Sequence, residues 1–426
     1  MKRNRLEDLI DWKTSPIRKP LILQGARQVG KTWLLQEFGR TCFNRCAYVN
    51  FEDHRELQTL FADNFDIERI VSACQIVTRQ TIIDGETLLV LDEFQEAPNG
   101  LAALKYFAEK RPELHVVAAG SLLGLALHRG ESFPVGKVDF MHLAPLSFRE
   151  FLSALGEESL ANAIRTRDWS LLKPFDGKLQ SFLKTYLYVG GMPEAVEVYC
   201  KARDFALVRQ IQNRLLLAYE GDLSKHAPTE QIPRIQLVWR SLLAQLAREN
   251  RKFKYAELKH GGRAKEFELA IQWLVDAGLV HRVPRVSKPD VPLAAYADAS
   301  AFKLFGLDVG LLAAMGALPP SVILNGSEIF EEFKGALTEQ YVLEQLVAAG
   351  CAGISYWSND RSTAEVDFLI QKDSNVVPIE VKTAENLRSK SFRLFCETHR
   401  PKCAVRASLA FYKNQGWMEN LPLWAI

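Results

Sequence analysis

Apolar residues fall along the chain in two alternating signatures. Short, mainly apolar runs recur at Leu21–Leu23, Ala47–Phe51, Leu88–Leu91, Leu114–Ala119 and Val138–Leu143. They are brief and bounded by polar or turn-forming residues, as strands covered on both faces are. Between them, over Trp33–Phe38, Ile67–Arg79 and Leu101–Lys110, apolar residues return at helical spacing. A further short helix is predicted over Leu6–Trp12. Strands alternating with helices imply an α/β fold built on a parallel sheet.

Beyond Ala144 the pattern becomes mainly helical. Tyr188–Ala195, with its Gly-Gly turn, interrupts it in a way that resembles a lid. From Ile232 to Val283 the spacing predicts three helices, the second at Tyr255–Leu258 and the third at Phe267–Val275, followed by a turn at Gly278 into an apolar strand pair. That order suits a winged helix-turn-helix. Three prolines over Pro284–Pro292 predict a loop or a bend. A helix is expected from Ile329 to Leu346, with Phe330, Phe333, Leu337, Tyr341 and Leu343 as its apolar positions, and strands at Glu365–Ile370 and Val377–Lys382.

Chemistry concentrates first between the strand at Leu21 and the helix at Trp33. Gly25, Gly30, Lys31 and Thr32 fit G-x-x-x-x-G-K-[ST] in the strand-to-helix setting that this phosphate-binding loop requires. Glycines let the backbone curl so that its N–H groups face an anion, and the helix start adds its positive dipole end. The nucleotide-binding residues expected here are Gly25, Ala26, Arg27, Gln28, Val29, Gly30, Lys31, Thr32 and Trp33. Lys31 can reach the β and γ oxygens of ATP, and the Thr32 hydroxyl can ligate Mg²⁺.

Asp92 and Glu93 close the strand that starts at Thr87. They suit, in turn, a holder of Mg²⁺ and a general base for the attacking water. Ser121, after the strand ending at Ala119, is a candidate sensor of the γ-phosphate or a plain turn serine. Arg129, Lys137 and Arg149 are candidates for the cation that offsets charge in the transition state, and a neighbouring molecule's arginine is an alternative.

A second constellation lies near the C-terminal end. Side chains alternate along a strand, so Glu380 and Lys382 share a face, and Asp367 on the preceding strand can join them, with Glu339 reaching in from the helix. Glu339, Asp367 and Glu380 are hard oxygen ligands suited to Mg²⁺ or Mn²⁺, and Lys382 could orient a water, which is the chemistry of metal-dependent phosphodiester cleavage. The same pattern also serves as a cross-strand ion pair.

Composition sets the limits. The chain has 426 residues, 48% of them hydrophobic, which suffices for two or three domains. Its 53 basic and 51 acidic residues leave a net charge of +2, which argues against a globally basic nucleic-acid-coating protein. A local excess, six basic residues to one acid between Arg251 and Lys265, suits a phosphate backbone or a solvated face of a protein-binding module. The charged start lacks an apolar leader, and no apolar stretch reaches the ~18 residues that span a bilayer, so a cytoplasmic protein without membrane contact is expected. The seven cysteines are scattered and read as reduced thiols.

Taken together, Gly-Ala-Arg-Gln-Val-Gly-Lys-Thr, Leu-Asp-Glu-Phe-Gln, Ala-Gly-Ser-Leu-Leu, Pro-Leu-Ser-Phe-Arg-Glu-Phe, Gly-Gly-Met-Pro-Glu-Ala and the tail of Glu339, Asp367, Glu380 and Lys382 resemble the prokaryotic AAA_14/DUF4143 ATPases. The resemblance implies an ASCE-type, AAA-like P-loop ATPase, a winged-helix middle and a C-terminal PD-(D/E)xK nuclease-like fold. Lys31, Thr32, Asp92 and Glu93 match the ATPase site, and Glu339, Asp367, Glu380 and Lys382 match the nuclease-like core. Gly136-Lys137 departs from the Gly-Arg of many members, which weakens the case for an arginine finger at that point.

The expected domains are an ATPase core at 1–155, a helical lid at 156–228, a winged helix at 229–290, a connector at 291–326 and the nuclease-like domain at 327–426. Two functions follow. In one, ATP hydrolysis drives or gates an active C-terminal domain working on DNA or RNA. In the other, a nucleotide-controlled switch binds a protein partner or further copies of itself, and the nuclease-like fold is a dead scaffold.

Overall fold

The computed structural model describes residues 1–63, 65–121, 123, 136–248, 251–325, 331–359, 364–383 and 390–426. Two compact units are present, one formed by residues 2–144 with 276–278 and the other by 145–275 with 279–426.

In the first unit five parallel strands, β1 (Leu21–Gln24), β2 (Arg45–Asn50), β3 (Thr87–Asp92), β4 (His115–Ala119) and β5 (Asp139–His142), are ordered β2-β3-β4-β1-β5. Every residue of β3 and β4 is buried, which is why their sequences are solid rather than alternating. The helices Lys31–Cys42, Ile67–Thr78 and Gly100–Lys110 follow the predicted spacing. The second of these starts on an Asp66 cap and ends where Arg79 turns left-handed. The helix Arg55–Asp63 was not anticipated. An aromatic trio, Phe51, Phe61 and Phe94, with ring centroids 5.3–5.6 Å apart, fills the core beside the end of β3.

The second unit carries an eight-stranded sheet. Its strands are β6 (Val280–Val286), β7 (Ala297–Gly306), β8 (Ser355–Ser358), β9 (Glu365–Lys372), β10 (Asn375–Val381), β11 (Val405–Ser408), β12 (Lys413–Asn414) and β13 (Glu419–Pro422). Their order is β12-β13-β11-β10-β9-β8-β6-β7. The β6–β7 pair expected as a wing is antiparallel, and β6 also pairs with β8 through Arg285 opposite Tyr356 and Val286 opposite Trp357. One sheet therefore runs across the limits expected at 290 and 326.

Two local expectations need correction. Pro284 lies inside β6 opposite Phe302, not in a loop, and a register shift just after it absorbs the missing N–H. Tyr255–Glu257 is a single 3₁₀ turn rather than a helix. The helix Glu331–Ala348 stands where one was predicted; Ile329 and Phe330, its expected start, lie outside the described residues.

The Gly-Gly turn is held from within its own unit. Gly190 has φ +74, and the Asp308 carboxylate occupies the space a Cβ would need there. Asp308 Oδ2 accepts from Gly191 N at 2.6 Å, and Gly191 O accepts from Leu146 N at 2.7 Å. The Gly-Gly-Met-Pro and Pro-Leu-Ser-Phe motifs thus meet in one buried knot. Among the described residues no helix is long and apolar enough to cross a membrane.

Candidate functional site

The glycine loop leaves β1 under steric control. A Cβ on Gly25 would overlap the Leu143 carbonyl oxygen, and Gln28 and Gly30 both have positive φ, 66° and 93°, so the chain curls back before the helix Lys31–Cys42. Ala26 and Val29 are buried, whereas Arg27, Gln28 and Trp33 are exposed. Lys31 is buried, and its Nζ donates to the carbonyls of Gly25 and Ala26 at 2.8 Å each. Burial lowers its pKa to about 8, opposed by Glu93 and Asp92.

Asp92, at the end of β3, is nearly inaccessible and receives three donors. Thr32 Oγ1 and the Tyr48 hydroxyl donate to Oδ2 at 2.7 and 2.8 Å, and Glu93 N donates to Oδ1 at 3.0 Å. Glu93 opens a tight turn with φ 50. Its carboxylate accepts from Gln95 Nε2 at 2.7 Å, and burial raises its pKa against the counter-effects of Gln95 and Lys31. Ser121 is half-buried just past β4. The loop, Lys31, Thr32, Asp92 and Glu93 are thus brought together, and Thr32 with Asp92 forms an oxygen pair of the kind that holds Mg²⁺.

Three residues of this site were missed. Arg3 is buried and donates to the Val29 carbonyl at 2.8 Å and the Ala144 carbonyl at 2.5 Å, tying down the loop. No local pattern marks a contact so distant in sequence. Tyr48 and Gln95 were visible in motifs but carried no signal of their own. Of the candidate cations, Arg129 lies outside the described residues, and Lys137 forms an exposed pair with Glu109 at 3.0 Å. Arg149 sits in the helix Phe148–Ala154 of the second unit.

In the second unit Glu339, Asp367, Glu380 and Lys382 also converge, but with company. Lys303 on β7, its side chain fully buried, lies 2.5 Å from Glu365 Oε1 and 3.6 Å from Glu339 Oε2. Glu339 is also bound by Arg251, Asp367 Oδ2 accepts from Val381 N at 2.7 Å, and Lys382 pairs with Glu380 at 2.7 Å. Burial works against the Lys303 charge, yet Glu339, Glu365 and Asp367 together raise its pKa. Burial and the neighbouring Glu339 and Glu380 raise that of Asp367. Among the described residues no group of three or more His, Cys, Asp or Glu is arranged to hold a metal ion.

Arg251 had been counted in the basic face and instead turns inward to Glu339. Lys254, Lys259, Arg263 and Lys265 remain exposed. The missed partner, Lys303, interrupts the apolar run Ala301-Phe-Lys-Leu-Phe305, a signal of a charge forced indoors.

Residues 17–152 match the model of an AAA domain, AAA_14, and residues 334–426 that of a domain of unknown function, DUF4143; both support the AAA_14/DUF4143 resemblance. Residues 180–322 match a further domain of unknown function, DUF8612. No curated protein matches the chain. Among solved structures, the chain is similar to the Aeropyrum pernix Orc1 protein in complex with DNA at 14% identity, covering 76% of this chain and 95% of that one, with a TM-score of 0.29. It is also similar to the Thermotoga maritima RuvB Holliday junction branch migration motor, at 12% identity over 67% of this chain and 90% of that one, TM-score 0.29.

Proposed function

We propose that the chain is a Mg²⁺-dependent ATPase whose nucleotide cycle drives a conformational switch, and that its C-terminal sheet is a non-cleaving platform. The convergence of Lys31, Thr32, Asp92 and Glu93 around one glycine loop carries the first part, and the AAA-domain match supports it.

In this reading the loop N–H groups and the start of the helix bind the phosphates. Lys31 exchanges the carbonyls of Gly25 and Ala26 for phosphate oxygens. Thr32 and Asp92 would hold Mg²⁺, which when bound would supply positive charge to the phosphates. Tyr48 keeps Asp92 in place when the Thr32 hydroxyl turns away. Glu93 takes a proton from the water that attacks the γ-phosphorus as the bridging P–O bond breaks; its raised pKa makes it the better acceptor.

Lys303 turns the reading of the second unit away from strand cleavage. Its buried ammonium, with Arg251 and Lys382, offsets the carboxylates that a divalent cation would otherwise require. DNA or RNA as the switch's partner is a second reading, favoured by exposed Lys254, Lys259, Arg263 and Lys265. A protein partner and self-assembly are its rivals.

The test incubates the protein with labelled single- and double-stranded DNA and RNA, with Mg²⁺ or Mn²⁺ and with or without ATP, beside Asp367→Ala. ATP turnover with intact strands is expected. Metal-dependent cleavage that Asp367→Ala abolishes overturns the platform, and absence of turnover overturns the ATPase.

A further inference from the structure

The turn after β3 holds a side chain that the sequence reading left without a task. Gln95 lies in the 3₁₀ turn Phe94–Glu96, two residues past Glu93. Among the described residues it is the one hydrogen-bond donor to the Glu93 carboxylate, at 2.7 Å from Nε2 to Oε2. Its other end is a puzzle on structural grounds alone. Gln95 Oε1 is buried and, among the described residues, accepts no hydrogen bond, an arrangement that folded chains seldom keep without a reason.

Gly120, which directly follows β4, shows what this placement requires. A Cβ there would overlap Gln95 Oε1, while the backbone of Gly120 is outside the left-handed region that favours glycine. The missing side chain therefore makes room for the carboxamide. Gln95 is wedged between the base and Gly120 at the end of β4, with one polar end engaged and the other lying where a Gly120 side chain would stand.

We propose that Gln95 is a positioning residue for hydrolysis: its carboxamide, seated in the space left by Gly120, fixes the Glu93 carboxylate for its encounter with the attacking water. This rests on the ATPase reading above. Without the donor, Glu93 would rotate freely about its side-chain bonds, and the proton acceptor would be in place for only a fraction of encounters. Among the described residues the hydrogen bond of the carboxamide goes to Glu93 and not to the phosphate-binding loop, so ATP binding should be nearly independent of it.

The test compares Gln95→Ala, Gln95→Met and Gly120→Ala with wild type and Glu93→Gln. Gln95→Met fills the same volume without an N–H donor, which separates positioning from packing. Both Gln95 variants should lose about 10- to 100-fold in kcat with ATP affinity within about twofold of wild type and unchanged thermal midpoints. Gly120→Ala should show the same kcat defect, and the double variant Gln95→Ala/Gly120→Ala should be no worse than Gln95→Ala, since both act through one carboxamide.

In the nucleotide-free protein the Gln95 side-chain amide resonances should shift on Glu93→Ala. Wild-type kcat in Gln95→Met, additive losses in the double variant, or unmoved resonances overturn the proposal. If Glu93→Gln is inactive while Gln95→Met is normal, this inference alone falls. If Glu93→Gln turns over ATP like wild type, the ATPase reading falls with it.

Discussion

Thr32 Oγ1 and Asp92 Oδ2 are 2.7 Å apart, joining the start of the first loop helix to the end of β3. The Tyr48 hydroxyl meets the same oxygen at 2.8 Å, so Asp92 Oδ2 keeps one anchor if Thr32 leaves. Tyr48→Phe should therefore raise the Mg²⁺ concentration for half-maximal turnover by about tenfold while ATP affinity holds. A Mg²⁺ titration of ATPase rate checks this, and Thr32→Val should be the more severe of the two.

Gly25 is confined by the Leu143 carbonyl and by a φ of 150°. Gly25→Ala should remove nucleotide binding and cost about 1–3 kcal/mol, because the loop must shift to admit the methyl group. Urea unfolding and equilibrium ATP binding measure the two effects separately.

Lys303 has no route to solvent. Lys303→Met leaves Glu365 without its ammonium partner and Glu339 with Arg251 alone, and should destabilise by about 3–5 kcal/mol. Adding Glu365→Gln should recover part of that loss, as it removes one unpaired charge. Chemical denaturation of the single and double variants gives the comparison.

Asp308 provides a pH signature. Burial raises its pKa to about 6 from an ordinary 3.8, opposed by the N–H groups of Gly191, Leu311 and Gly310. The folded state then binds more protons than the unfolded one between those values, so this group's contribution to stability falls as pH rises from about 4 to about 6. Glu344, raised by burial and by Asp308, acts in the same sense. Asp308→Asn turns one hydrogen-bond acceptor into a donor and destabilises, and its deficit relative to wild type should shrink by about 3 kcal/mol between pH 4 and 7. Unfolding free energies at several pH values test the sign.

Much of the candidate site in the first unit was legible because its residues are local. Gly25, Gly30, Lys31 and Thr32 occupy one turn, and Asp92 and Glu93 end a strand whose apolar run is unmistakable. What supports them was not legible. Arg3 reaches Val29 and Ala144 across the fold, and Gln95 depends on a gap at Gly120, just past the end of β4. The C-terminal constellation shows the opposite limit. Alternation correctly gathered Asp367, Glu380 and Lys382, yet Lys303 and Arg251, far earlier in the chain, decide the charge balance there. Pro284 was read as a loop because a proline seldom sits in a strand, and the register shift beside it is visible only in the sheet.

The most direct measurement is ATP turnover and ATP binding in Glu93→Gln beside wild type, with Mg²⁺ present. Turnover reduced by about 10²–10⁴ with binding retained is the expected result. Turnover equal to wild type would remove Glu93 as the base and contradict hydrolysis at this site.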